Sequence, residues 1–159
     1  FDFDDTLVKS NSKVYLMRNG KKITMTPGLY AVYKPEPGDE IDFSEFDKVI
    51  DPKKIKSMFK VFKRIHSAVG NRRLTILTAR SKYKPVRQFF KDSGHGDVFV
   101  VALADANPQK KADWVEGQIK KGYDDIAFFD DSNKNVNAVK KLKRKYPHIK
   151  MKSQLVKYD

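Results

Sequence analysis

From Asp51 onward, short apolar runs alternate with stretches in which apolar side chains recur every three or four residues. This is the pattern of a parallel sheet covered by helices. The first helix is predicted over residues 52–69, with Asp51 as N-cap, Pro52 at the first helical position, and Ile55, Met58, Phe59, Phe62, Ile65 and Val69 as one apolar stripe. LTILT (residues 74–78) reads as a buried strand. A second helix over residues 84–93 stops at Gly94, ahead of the strand DVFVVAL at residues 97–103. Asn107 and Pro108 begin a third helix that ends at Gly122. The strand IAFF (residues 126–129) then runs into Asp130 and Asp131, Ser132 caps a fourth helix with Val136, Val139 and Leu142 facing inward, and residues 150–156 form a last strand.

The first fifty residues follow a different rhythm. Residues 13–25 alternate apolar and polar positions on both sides of Asn19-Gly20, a hairpin signal. KPEPGDE (residues 34–40) is too rich in Pro and Gly for a regular element. We therefore expect one domain over residues 1–159, with a hairpin flap and loop inserted at about residues 10–50, after the first strand. A buried strand should run several apolar residues before its functional end, so the natural chain is expected to begin upstream of Phe1.

Charge changes the picture more than overall composition does. With 33 Lys and Arg against 20 Asp and Glu, the net charge is +13, which favours phosphate-rich partners, nucleic acid first. Part of that charge reads as plain solvation of helix faces, as in KKLKRKY at residues 140–146. The chain has no cysteine, so disulfides and thiolate metal sites are excluded. No apolar run approaches the roughly 20 residues of a membrane span and no signal peptide is visible. The expectation is a soluble, cytoplasmic protein without membrane contact; nothing in the sequence fixes the oligomeric state.

The candidate chemistry begins in FDFDDTL (residues 1–7), three carboxylates in four positions among apolar neighbours. A lone Asp-x-Asp reads equally well as a turn or helix cap. In open α/β sheets, however, functional side chains gather beyond the carboxyl ends of the strands. Asp2 and Asp4 follow the first strand, Thr78 ends LTILT, and Asp130 and Asp131 end IAFF. Oxygen ligands converging there, with no Cys and no His nearby in sequence, suit a hard cation such as Mg²⁺.

At these positions the chain resembles the haloacid dehalogenase-like hydrolases, most of which are phosphatases. FDFDDTL is similar to the first motif of that family, the strand ending in Thr78 to the second, a lysine near the start of a helix to the third, and FFDDS (residues 128–132) to the fourth. The resemblance covers essentially the whole chain. A response-regulator receiver also combines acids, a Thr and a Lys, but its acid pair comes first and its lysine last, whereas an Asp pair follows the lysine here.

The resemblance implies a Rossmann-like three-layer fold, a parallel sheet with helices on both faces, and a Mg²⁺-dependent phosphatase. Asp2 would be the nucleophile and a metal ligand, forming an aspartyl-phosphate. Asp4 would be the general acid and base and would reach the metal through its backbone carbonyl. Asp131 would ligate the metal with help from Asp130, and Thr78 would bond a phosphoryl oxygen. For the lysine, Lys111 shares a helix face with Val115 and Ile119, while Lys110 stacks with Trp114, and Lys110 stays open as the alternative.

Arg80 is a candidate contact for substrate phosphate, and Lys82, Lys84 and Arg87 extend that basic stretch. Tyr15, Tyr30 and Tyr33 read as hairpin packing or as platforms for bases. Trp114 reads as half-buried core, and His66, His95 and His148 fall outside every motif. Three functions stay open: a phosphatase of nucleic-acid ends or nucleotides, a phosphatase of a small phosphorylated metabolite, and a non-catalytic binding module.

Overall fold

The computed structural model describes residues 1–26, 29–30 and 33–157. It is a mixed α/β structure whose parallel strands come in two pairs. Strand β6 (Thr75–Thr78) runs parallel to β7 (Phe99–Ala102), and β8 (Asp125–Asp130) runs parallel to β9 (Lys150–Leu155). The N-terminal residues lie between the pairs. The Phe1 amino group donates to the Thr75 carbonyl (2.9 Å), Leu77 N–H to the Phe1 carbonyl (2.8 Å), and Asp2 N–H to the Phe129 carbonyl (2.9 Å).

Alternate residues of the strands face two different cores, as the twofold period of a strand requires. Phe1, Phe3, Ile76, Val100 and Phe129 join α1 (Lys56–Val69) and α2 (Lys84–Asp92) through Phe59, Phe62, Val86 and Phe90. Leu77 and Phe128 join α3 (Pro108–Lys120), α4 (Asn133–Lys140) and α5 (Leu142–Lys145) through Val115, Ile119, Val136, Val139 and Leu142. Phe3, Phe62 and Phe90 are fully buried, each contributing about 1.5–3 kcal/mol by leaving water. Trp114 is partly buried against the second core, as its sequence position implies.

The helix ends follow the sequence signals in two cases. The Asn107 side chain accepts from Gln109 N–H (3.0 Å) ahead of α3, and Ser132 Oγ accepts from Asn135 N–H (3.3 Å) ahead of α4. The first helix departs from its prediction: it starts at Lys56, not at Pro52. Lys53–Lys54 form the short strand β5, antiparallel to β1 (Val8–Lys9), and Ile55 N–H donates to the Leu7 carbonyl (2.8 Å). That tertiary pairing outcompetes the local cap signal of Asp51 and Pro52. At the other end, Val69 is 39% exposed and leaves the stripe.

The flap is also larger than a hairpin. Strands β2 (Val14–Arg18) and β3 (Lys21–Met25) pair around Asn19-Gly20, both with positive φ (51° and 75°), as a two-residue hairpin turn requires. A third strand, β4 (Glu40–Asp42), pairs on the other side of β2. Val14, Leu16 and Met25 form a small core of their own, with Tyr30, Tyr33, Ile41 and Phe46 packed against it. Among the described residues no helix is long and apolar enough to cross a membrane.

Candidate active site

After the N-terminal segment the chain turns tightly. Phe3 O accepts from Leu7 N–H (3.0 Å), and Asp5 takes a positive φ of 60°, a conformation Asp tolerates better than most residues. This turn sets Asp2 and Thr6 against the ends of β6 and β8, where a cavity of about 320 Å³ opens. Asp2, Asp4, Thr78, Arg80, Lys111, Asp130 and Asp131 all line it, together with the aromatic side chains of Tyr30, Phe43 and Phe46.

Lys111 is at the centre of the charge pattern. Its Nζ lies 2.8 Å from Asp2 Oδ1 and 2.8 Å from Asp130 Oδ2, and the side chain is buried. Burial opposes its charge, but Asp2 and Asp130 hold its pKa above the ordinary lysine value. Lys110, the alternative, points to solvent. The periodicity of α3 explains the difference: Lys111, Val115 and Ile119 share its buried face.

Thr6 joins the acids. Its Oγ1 donates toward Asp2 Oδ2 (2.8 Å) and Asp131 Oδ1 (3.1 Å), one proton shared between two carboxylates, and accepts from Asp131 N–H (3.0 Å). Asp130 is held by Ser132 N–H (2.9 Å) and Asn135 Nδ2 (3.0 Å) as well as by Lys111. Neither Thr6 nor Asn135 is among the residues predicted from sequence. Thr6 belongs to FDFDDTL, the stretch that carries Asp2 and Asp4, and was findable there; Asn135 gave no signal beyond its place three residues after a helix cap.

The acids titrate apart. Burial pushes the Asp2 pKa up, yet the Lys111 charge and hydrogen bonds with Asp131, Lys111 and Thr6 more than reverse this, leaving Asp2 below the usual carboxylate range. Asp130 is raised, by burial and then by the Asp2 charge. Asp131 is pushed up to about 9 by burial, the charge on Asp2 and their shared hydrogen bond, then Asp130 and Asp5.

Asp2, Asp130 and Asp131 each offer an oxygen within 4.8 Å of the others. Of the two cations beside these acids, Lys111 pairs with Asp2 and Asp130 and Arg80 with Asp4, so Asp131 has no cation of its own among the ion pairs of the described residues. Burial first, and then the negative charges around it, raise its pKa. All-oxygen donors with this charge fit one hard divalent cation. The carboxylate of Asp4 lies outside the three-acid cluster.

Arg80 sits differently from a substrate-facing arginine. It is 3% exposed and directs Nε and Nη2 at the two oxygens of Asp4 (2.8 Å each), Nη1 at the carbonyls of Phe46 (3.2 Å) and Lys48 (3.0 Å), and Nη2 also at Ser10 Oγ (3.5 Å). Its donors are therefore committed within the protein, so substrate phosphate has no open edge of the guanidinium to meet. Thr78 is buried at the cavity wall, its Oγ1 accepting from Arg80 N–H (3.2 Å).

Of the three tyrosines, only Tyr30 reaches the cavity, edge-to-face with Phe43 at 5.0 Å. The Tyr15 hydroxyl donates to Glu45, and the Tyr33 hydroxyl donates to Asp39 while accepting from Arg18 (2.5 Å), so both are used in flap packing. None of the three histidines lines the cavity.

No family model matches this chain, no curated protein matches it, and no solved structure matches it.

Proposed function

We propose that this protein is a metal-dependent phosphomonoesterase of the haloacid dehalogenase-like kind, with Asp2 as its nucleophile. The observation that carries this reading is the seating of Asp2. Its carboxylate is fixed by Lys111 and Thr6, kept ionised by them, and set beside Asp130 and Asp131 in a cavity at the carboxyl ends of parallel strands. The family-like fold is part of the proposal. The hydrogen bonds of Phe1 and Asp2 to β6 and β8 support one continuous parallel sheet, ordered β7, β6, residues 1–3, β8, β9, and the two cores support helices on both faces.

In this mechanism an Asp2 oxygen attacks phosphorus. The bond to the leaving oxygen breaks as the Asp2 bond forms, and Asp4, once it has released one oxygen from Arg80 and taken up a proton from solvent, delivers that proton to the leaving oxygen. Asp4 then takes a proton from the water that attacks the aspartyl-phosphate, releasing phosphate and restoring Asp2. Arg80 acts as a positioning residue for Asp4, and Thr78 supplies a hydroxyl to a phosphoryl oxygen. Asp2, Asp130 and Asp131 would hold Mg²⁺, with Asp4 contributing its backbone carbonyl as in the family; when bound, the ion stabilises negative charge on the phosphoryl oxygens. Lys111 keeps Asp2 anionic and aimed.

Phosphate release from p-nitrophenyl phosphate, with and without Mg²⁺, tests the reading when wild type and Asp2→Asn are compared. Metal-dependent release that disappears in the variant supports it. A folded, metal-loaded protein that hydrolyses neither this ester nor any phosphorylated nucleotide or sugar contradicts it.

A further inference from the structure

A second concave surface runs beside the candidate active site. It is lined by Tyr83, Lys84, Arg87, Gln88, Lys91 and Gly96, along the solvent face of α2. Lys84, Arg87, Gln88 and Lys91 have the helical spacing of three and four residues, so they form one face; Val86 and Phe90 are buried on the other. Nine residues of helix make this face about 13 Å long. Tyr83 is 44% exposed at its head. Gly96 leaves room for Lys91, because a Cβ there would stand 3.2 Å from Lys91 Cγ.

Two features distinguish this face from ordinary solvated lysines. Among the described residues, Lys84, Arg87 and Lys91 form no ion pair with a carboxylate. The sole acid of α2, Asp92, is occupied by Gln88 (2.8 Å). The face also adjoins the catalytic cavity: Ser81 lines the cavity and Tyr83 the groove, two residues on, so their Cα atoms are at most about 8 Å apart. Within the cavity, Lys111 and Arg80 are both committed to aspartates, leaving exposed Lys134 as its remaining basic lining residue. A substrate with one phosphate would find little further positive charge, whereas a substrate with several would find it on α2.

We infer that the α2 groove is a track for the sugar-phosphate backbone of a single nucleic-acid strand whose phosphorylated end enters the cavity. Lys84, Arg87 and Lys91 meet successive phosphates, and Tyr83 offers a ring on which a base stacks. This inference rests on the phosphatase reading for the terminal phosphate, but not for the track itself.

The test separates the two. Fluorescence anisotropy reads the binding of labelled DNA and RNA single strands without a terminal phosphate, over a range of salt. The proteins compared are wild type, a Lys84→Gln/Arg87→Gln/Lys91→Gln variant, and a Lys140→Gln/Lys141→Gln/Arg144→Gln control that loses the same charge elsewhere. The inference expects the slope of log K against log salt to shrink by about 2 in the α2 variant and to stay at the wild-type value in the control. The DNA and RNA arms identify which backbone is preferred. Equal slopes in both variants, or no binding by wild type, would overturn the track. For strands bearing a phosphorylated end, the α2 variant should raise KM more than it lowers kcat; an unchanged KM would overturn the substrate assignment. A lost slope in a protein that hydrolyses no ester would uphold the track and remove the phosphatase reading.

Discussion

Arg80 and Asp4 meet as a fork on a fork, Nε and Nη2 each 2.8 Å from a different carboxylate oxygen. The same guanidinium holds the Phe46 and Lys48 carbonyls at the base of the flap and stands 4.7 Å from the Phe46 ring centroid. One buried side chain thus ties the loop after β6 to the proposed general acid and to the flap.

Arg80→Ala should destabilise the fold by about 3–5 kcal/mol, because it strands a largely buried carboxylate and two carbonyls. Arg80→Lys should recover only part of this, since a single ammonium cannot reproduce the bidentate geometry. Urea denaturation measures both.

Lys111→Met leaves Asp2 and Asp130 without the cation that separates them, and should cost about 3–5 kcal/mol in metal-free protein. Lys110→Met removes an exposed charge and should stay within about 0.5 kcal/mol of wild type. Equal losses in thermal unfolding would contradict the central position given to Lys111.

Thr6→Val keeps the side-chain shape but removes the hydroxyl shared by Asp2 and Asp131. A loss of about 1–3 kcal/mol is expected, with a smaller Mg²⁺-induced rise in melting temperature. Thr6→Ser should restore both, whereas a Thr6→Val protein indistinguishable from wild type would show that the hydroxyl is idle.

Most of this site was legible because its residues stand at strand ends, where a short apolar run followed by a polar residue is a local pattern. Asp2, Thr78, Asp130 and Asp131 were readable that way; the four-residue spacing of Lys111, Val115 and Ile119 favoured Lys111, but only its burial in the structure separates it from Lys110. The position of Arg80 was not readable. A basic residue just past a strand looks the same in sequence whether it faces substrate or turns back on Asp4, 76 residues away. Strands β4 and β5 escaped for a related reason: with three and two residues, they are made by their pairing with β2 and β1 and carry almost no pattern of their own.

The histidines lie apart from the site, and one of them, His95, gives the fold a pH dependence. His95 packs against Phe59, Phe62 and His66, and burial, then the His66, Lys63 and Lys54 charges, hold its pKa below the usual 6.5. The unfolded chain therefore binds this proton more readily than the folded one. The stabilising contribution is complete above 6.5 and declines as pH falls from there toward the folded value. Urea midpoints should drop as pH falls below about 6.5, and more shallowly in His95→Gln. An identical slope in the variant would exclude His95 as the source.

The proposed mechanism passes through a covalent bond between phosphorus and Asp2. It is tested most directly by mixing enzyme, Mg²⁺ and a phosphomonoester, quenching in acid during turnover, and reading the N-terminal peptide by mass spectrometry. One added phosphoryl group on Asp2 is expected, absent from Asp2→Asn and without Mg²⁺. Steady turnover with Asp2 unmodified, or with the phosphoryl group on another residue, would contradict it.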